Sequence, residues 1–162
     1  MKNRLWLLPA VALGGSFGAN ALADDTTLSY GQLERLLNSA EDYGFNRYEK
    51  LDADHDDNRF EIEGWRADGW ELDVSMTLND GTLTRESQRK SIAPDWGLTR
   101  EELDAALSKA RAGGMQHFAE LEVDSNGHVE IEGYNAQQAQ FELDLHRDEL
   151  NYEHLDSGSE NG

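Results

Sequence analysis

The densest group of potential ligands in the chain is Asp52-x-Asp54-x-Asp56-x-Asn58, followed by Glu63. Oxygen donors at alternate positions, closed by a carboxylate at the twelfth, have the spacing of an EF-hand calcium loop. Calcium is therefore the candidate cofactor, with Asp52, Asp54, Asp56, Asn58 and Glu63 as its candidate ligands. Two positions favour a different reading. The sixth is Asp57, where the sharp turn needs glycine, and the eighth is Arg59, where an apolar residue packs. The residues that follow alternate like a strand, so the competing expectation is an acidic hairpin turn without an EF-hand fold. A second stretch, Glu122 to Gly133, has glycine at the turn position but lacks the closing glutamate.

A second set of carboxylates lies in stretches of period two. Phe60, Ile62 and Gly64 alternate with Glu61, Glu63 and Trp65, and Trp70, Leu72, Val74 and Met76 alternate with Glu71, Asp73 and Ser75. Such alternation places one set on a buried face and the other in solvent. Pairing Ile62 with Leu72 sets Glu61 against Asp73 and Glu63 against Glu71. Further on, pairing Ile131 with Leu143 sets Glu130 against Asp144, Glu132 against Glu142, and His128 against His146. Like charges placed directly opposite destabilise a strand pair. One account is a surface for cations or for a basic protein partner, with Trp65 as an exposed aromatic anchor. The other is a solvated face in a salt-rich medium, with Lys50 or Arg85 as counterions. His128 and His146 with Glu130 or Asp144 form a weaker metal candidate.

No catalytic constellation accompanies these groups. There are no cysteines, and no serine sits in a nucleophile elbow. Paired carboxylates of the glycosidase type need a deep cleft. The expectation is a protein that is not an enzyme. With 33 acidic against 14 basic side chains among 162 residues, the net charge of −19 argues against nucleic acid as a partner. Residues 1–23 read as a secretory signal peptide. Lys2 and Arg4 precede an apolar run from Leu5 to Phe17, and Ala21-Leu22-Ala23 precedes Asp24. The expected location is periplasmic or secreted. No later segment is long and apolar enough to predict membrane insertion after cleavage.

The elements that must position these groups occur twice. Shifting residues 28–51 by 70 lays Leu28, Leu33, Leu37, Ala40, Gly44, Tyr48 and Leu51 on Leu98, Leu103, Leu107, Ala110, Gly114, Phe118 and Leu121. Phe60-Glu-Ile-Glu-Gly-Trp65 matches Val129-Glu-Ile-Glu-Gly-Tyr134, and Glu71-Leu-Asp-Val74 matches Glu142-Leu-Asp-Leu145. Ser29 with Gln32, and Thr99 with Glu102, read as capping boxes that open helices. Asp54–Asn58, Ala67-Asp68-Gly69, Asn79-Asp80-Gly81 and Ser125-Asn126-Gly127 read as turns. The predicted fold class is α+β. Two tandem modules, 24–90 and 94–157, would each pack one helix on a small antiparallel meander, and a disordered tail would cover 158–162.

Helix, glycine, strand, acidic turn, aromatic-x-Ile-x-Gly strand and second hairpin, in this order, resemble the PepSY domain family. The matching stretches are Leu28–Leu83 and Leu98–Leu150. The resemblance implies a secreted or periplasmic, non-catalytic module of the kind found in propeptides of thermolysin-like proteases. It further implies regulation of a peptidase or another envelope protein. Since no peptidase domain is attached here, that target would be met in trans.

Overall fold

The computed structural model describes residues 28–150. The signal peptide with its cleavage after Ala23, His154 and the tail at 158–162 lie outside the described residues. Strand β1 (Leu28–Ser29) leads into helix α1 (Tyr30–Tyr43), and β2 (Phe45–Asp54), β3 (Arg59–Arg66), β4 (Trp70–Thr77) and β5 (Leu83–Lys90) follow. Helix α2 (Arg100–Ala112) precedes β6 (Met115–Val123), β7 (His128–Asn135) and β8 (Gln140–His146), and a 3-10 turn spans Arg147–Leu150.

Both helices start as the sequence predicts. The Ser29 and Thr99 hydroxyls accept from the backbone N–H groups of Gln32 and Glu102, whose side chains accept in return from the cap N–H groups. Two otherwise free donors of each first turn are thereby satisfied. Helix α1 ends at Gly44, whose φ of 116° turns the chain left-handed, and the Gly44 N–H closes onto the carbonyls of Ala40 and Glu41. Leu33, Leu36, Leu37 and Ala40 of α1, and Leu103, Ala106, Leu107 and Ala110 of α2, form the buried stripes. Arg100 ties the helices together, its guanidinium meeting Glu41 at 3.1 Å and Asp104 at 2.9 Å.

The expectation of two tandem modules, each one helix on its own small meander, is overturned. The structure is predominantly β: one antiparallel sheet of eight strands, in the order β5-β4-β3-β2-β6-β7-β8, with β1 joined to β6. Two features fuse the halves. Strand β2 pairs with β6 through Lys50↔Glu122, Leu51↔Leu121 and Asp52↔Glu120. The segments entering the helices are also exchanged. Leu28, before α1, pairs with Phe118 of β6, and Leu98, before α2, bridges to Tyr48 of β2. Since Leu28 and Tyr48 correspond to Leu98 and Phe118, the exchange is reciprocal about a pseudo-twofold axis at the Leu51↔Leu121 pair. Each helix consequently packs on both β2 and β6. Periodicity showed β3, β4, β7 and β8 but not how the sheet joins them, because an edge hydrogen bond leaves no mark in the alternation; β5, exposed along its whole length, carries no apolar alternation at all.

The core is a single layer between the helices and one face of the sheet. Tyr48, Leu51, Phe60, Ile62, Phe118, Leu121, Val129 and Ile131 are each fully buried within it. Among the described residues the opposite face carries no helix, and there the charged residues of the alternating strands lie.

Candidate functional site

The strand registers draw the open face as two rows that run across the sheet. One row passes from Arg85 through Ser75, Glu61, Asp52, Glu120 and Glu132 to Glu142. The other passes from Ser87 through Asp73, Glu63, Lys50, Glu122 and Glu130 to Asp144. Five carboxylates are thus consecutive in the first row. Glu49 joins them from the bulge between Tyr48 and Lys50. Glu120, Glu122, Glu130 and Glu132 line a surface depression of about 200 Å³.

Counterions are spread unevenly along these rows. On the β5 side, Arg85 meets Asp73 at 3.2 Å, Arg89 pairs with Glu71, and Arg59 meets Glu61 at 3.2 Å. At the centre, Lys50 holds Glu120 at 2.6 Å. On the β8 side, among the described residues, only His128 contributes, 3.2 Å from Asp144, and it is charged only when protonated. Glu122, Glu130, Glu132 and Glu142 form no ion pair among the described residues.

The electrostatic consequence is an upward pull on several carboxyl groups. Glu49, Asp52, Glu63 and Glu132 are raised above their ordinary values, first by partial burial and next by neighbouring carboxylates. For Glu132 those neighbours are Glu120, Glu130 and Glu142. A carboxyl group raised in the folded state binds its proton more tightly there than in the unfolded chain, so acidification favours folding. Melting temperature should therefore rise as pH falls from neutrality toward the ordinary carboxyl values of 4.5 for Glu and 3.8 for Asp. It should turn down only below the ordinary Asp value of 3.8, where Asp80 and Asp124, both held low by hydrogen bonds, become protonated. A melting temperature that falls steadily from neutral pH would show that these raised carboxylates do not govern stability.

The expected site residues fare differently. In the second hairpin the registers Glu130↔Asp144, Glu132↔Glu142 and His128↔His146 are those that the alternation predicts. In the first hairpin the register is displaced by two residues. Glu61 faces Ser75, Glu63 faces Asp73 and Trp65 faces Glu71, because Ile62 pairs with Val74 rather than Leu72. Two like-charged confrontations in that hairpin are thereby reduced to one.

Trp65 is not an exposed anchor; it is only 4% accessible. The chain entering α2 crosses this end of the face, stacking Trp96 edge-on at 5.2 Å and laying Gly97 against the ring. Arg47 fastens the crossing segment by donating to the Gly97 carbonyl at 3.0 Å. Alternation assigned Trp65 to the correct face but carried no information about a later segment passing over it.

The EF-hand spacing does not gather its donors. Asp54 accepts from the Asp57 backbone N–H and meets Arg59 at 3.0 Å, so the arginine at the eighth position takes the charge a cation would. Asp52 and Glu63 stand on β2 and β3, in different rows of the face, rather than at the turn with Asp54, Asp56 and Asn58. Strands about 4.8 Å apart spread carboxylates along a row instead of converging them on one point. Among the described residues no group of three or more His, Asp or Glu is disposed to hold a metal ion. His146 is occupied locally, its ring meeting the Asn126 carbonyl at 3.0 Å and Asp148 at 3.3 Å.

Glu49 and Glu120 belong to the face and escaped the sequence reading, and Glu122, read there only as the start of the second loop, belongs to it too. The available signal was the alignment of Glu120-Leu-Glu122 with Lys50-Leu-Asp52 in the repeat. No helix among the described residues is long and apolar enough to cross a membrane. Comparison with family models, with curated proteins and with solved structures gives no match to this chain.

Proposed function

We propose that this chain is a non-enzymatic binding protein of PepSY-like sequence pattern, acting in the periplasm or outside the cell. Its open sheet face takes a basic protein partner, in line with a regulatory role toward a peptidase or another envelope protein. The observation that carries this reading is the uninterrupted carboxylate row Glu61-Asp52-Glu120-Glu132-Glu142, which at its β8 end has no counterion among the described residues. Opposed carboxylates lower the stability of the sheet that holds them. A surface that maintains such a cost offers a complementary cation a correspondingly favourable exchange of solvent for charge.

The test is a titration with a lysine-rich peptide at physiological salt, using the parent and the variant Glu130→Gln with Glu132→Gln. The variant should bind about tenfold more weakly, and its melting temperature should rise, since repulsion is relieved. Opposite signs for binding and stability separate a binding role from a structural one. Equal binding by parent and variant would overturn the proposal. Thermal melting in calcium against sodium chloride at matched ionic strength completes the test. A rise specific to calcium would move the function to divalent-cation binding.

A further inference from the structure

Besides the two-residue difference in hairpin register, the pseudo-twofold relation is broken at the edge of the acidic face. Strand β4 presents Glu71 and Asp73, and the repeat lays Glu142 and Asp144 of β8 on them in sequence, two residues along in register, since Glu142 faces Glu132 where Asp73 faces Glu63. The outer edge of β4 is covered by β5, with Arg89 opposite Glu71, Ser87 opposite Asp73 and Arg85 opposite Ser75. Arg89 pairs with Glu71, and Arg85 reaches diagonally to Asp73. Among the described residues no strand pairs with the outer edge of β8, which ends the sheet. In place of a returning strand the chain makes the 3-10 turn at Arg147, whose side chain is drawn to Glu102 at 2.9 Å.

Among the described residues the backbone of β8 is open along that edge. The His146 N–H donates to the Glu149 side chain at 2.8 Å and not to β7, which marks His146 as outward-facing. Residues of the same parity on an antiparallel strand share that direction, so the N–H and C=O groups of Glu142 and Asp144 also face outward. Both side chains are exposed. Among the described residues, the edge therefore offers unpaired backbone donors and acceptors at Glu142 and Asp144 together with their two carboxylates at alternate positions.

Resting on the reading of the face as a surface for a basic partner, we infer that β8 receives an extended basic segment of that partner by strand addition. The segment would carry two basic residues four apart, as Arg85 and Arg89 are in β5. Strand addition draws affinity from main-chain hydrogen bonds and specificity from alternate side chains. Here those side chains would meet Glu142 and Asp144, in the manner in which β5 meets Glu71 and Asp73. A second β8 is a poor occupant, because it would bring the same carboxylates against themselves.

The probe is a synthetic peptide with the sequence of Leu83–Lys90, added to the protein. Saturable binding is expected, with slowed amide exchange at Glu142 and Asp144. The variant Glu142→Lys with Asp144→Lys changes only exposed side chains and should weaken binding at least about tenfold. The peptide N-methylated at alternate residues keeps its charge and should lose binding, because it cannot complete the ladder. Equal binding of the methylated peptide, protection elsewhere on the sheet, or indifference to the double variant would overturn strand addition. The carboxylate-row reading would survive each of those results, provided the lysine-rich peptide still binds and still senses Glu130 and Glu132. Growth of oligomers with protein concentration alone would also overturn it, by showing that β5 of a second copy fills the edge.

Discussion

Gly64→Ala and Gly133→Ala are each expected to cost about 2–4 kcal/mol of folding stability, measured as a shift in denaturant midpoint with unchanged slope. A Cβ at Gly64 would stand 2.1 Å from the Arg47 carbonyl oxygen, and one at Gly133 would stand 2.2 Å from the His117 carbonyl oxygen. Both obstacles are backbone atoms, so no side chain can swing aside. The two sites are equivalent in the repeat. Gly64 faces Tyr48 and Gly133 faces Phe118, each beside a register shift in the neighbouring strand. A bulge brings the partner carbonyl inward, and only a residue without Cβ leaves space for it. Gly31→Ala is the matched control. It lies in the first turn of α1, where an added Cβ would meet nothing within 4 Å, and should gain about 0.5–1 kcal/mol from helix propensity. A loss below about 0.5 kcal/mol at Gly64 would mean that the close approach is absent.

Phe118→Ala should cost about 3–5 kcal/mol and should weaken both halves of the chain together. Phe118 is fully buried and is the strand partner of Leu28, so it belongs to the packing of the half to which it is not attached. Unfolding should remain one cooperative transition, with amide exchange in β4 and in β7 accelerating in parallel. A chain divided at Pro94 should give two fragments that do not fold separately, since each would lose the segment paired across Leu28↔Phe118 or Tyr48↔Leu98. Two transitions, or a stable isolated fragment, would sink the fused-sheet account.

These two predictions mark where sequence was informative and where it was not. The capping boxes at Ser29 and Thr99, the turns and the alternating strands are set by interactions within a few residues, and they were legible. The Ile131↔Leu143 register agreed with the alternation too, across a turn at 136–139 that has no glycine: Gln138 takes a φ of 61° and the Asn135 side chain accepts from the N–H groups of Gln137 and Ala139. The first hairpin slipped by two residues, a displacement that keeps every side chain on its original face and so leaves the alternation unchanged. What joined β2 to β6, and what covered Trp65, depended on residues about 70 and about 30 positions away, for which no local pattern exists. The acidic face was visible as separate hairpins. Its continuity through Asp52 and Glu120 came only with the central strand pair.

The exchanged entry segments also set an order of events for a chain made from its N-terminus. Leu28 cannot find its strand partner until Phe118 has been made, nor can β2 cover its outer edge before β6 arrives. Up to that point the first half keeps an open edge beside the apolar Leu51 and lacks a seat for the start of α1. Contacts so distant in sequence close late and slow the search. The native state is thus reached only by the whole chain, and a nascent first half has no finished structure to settle into.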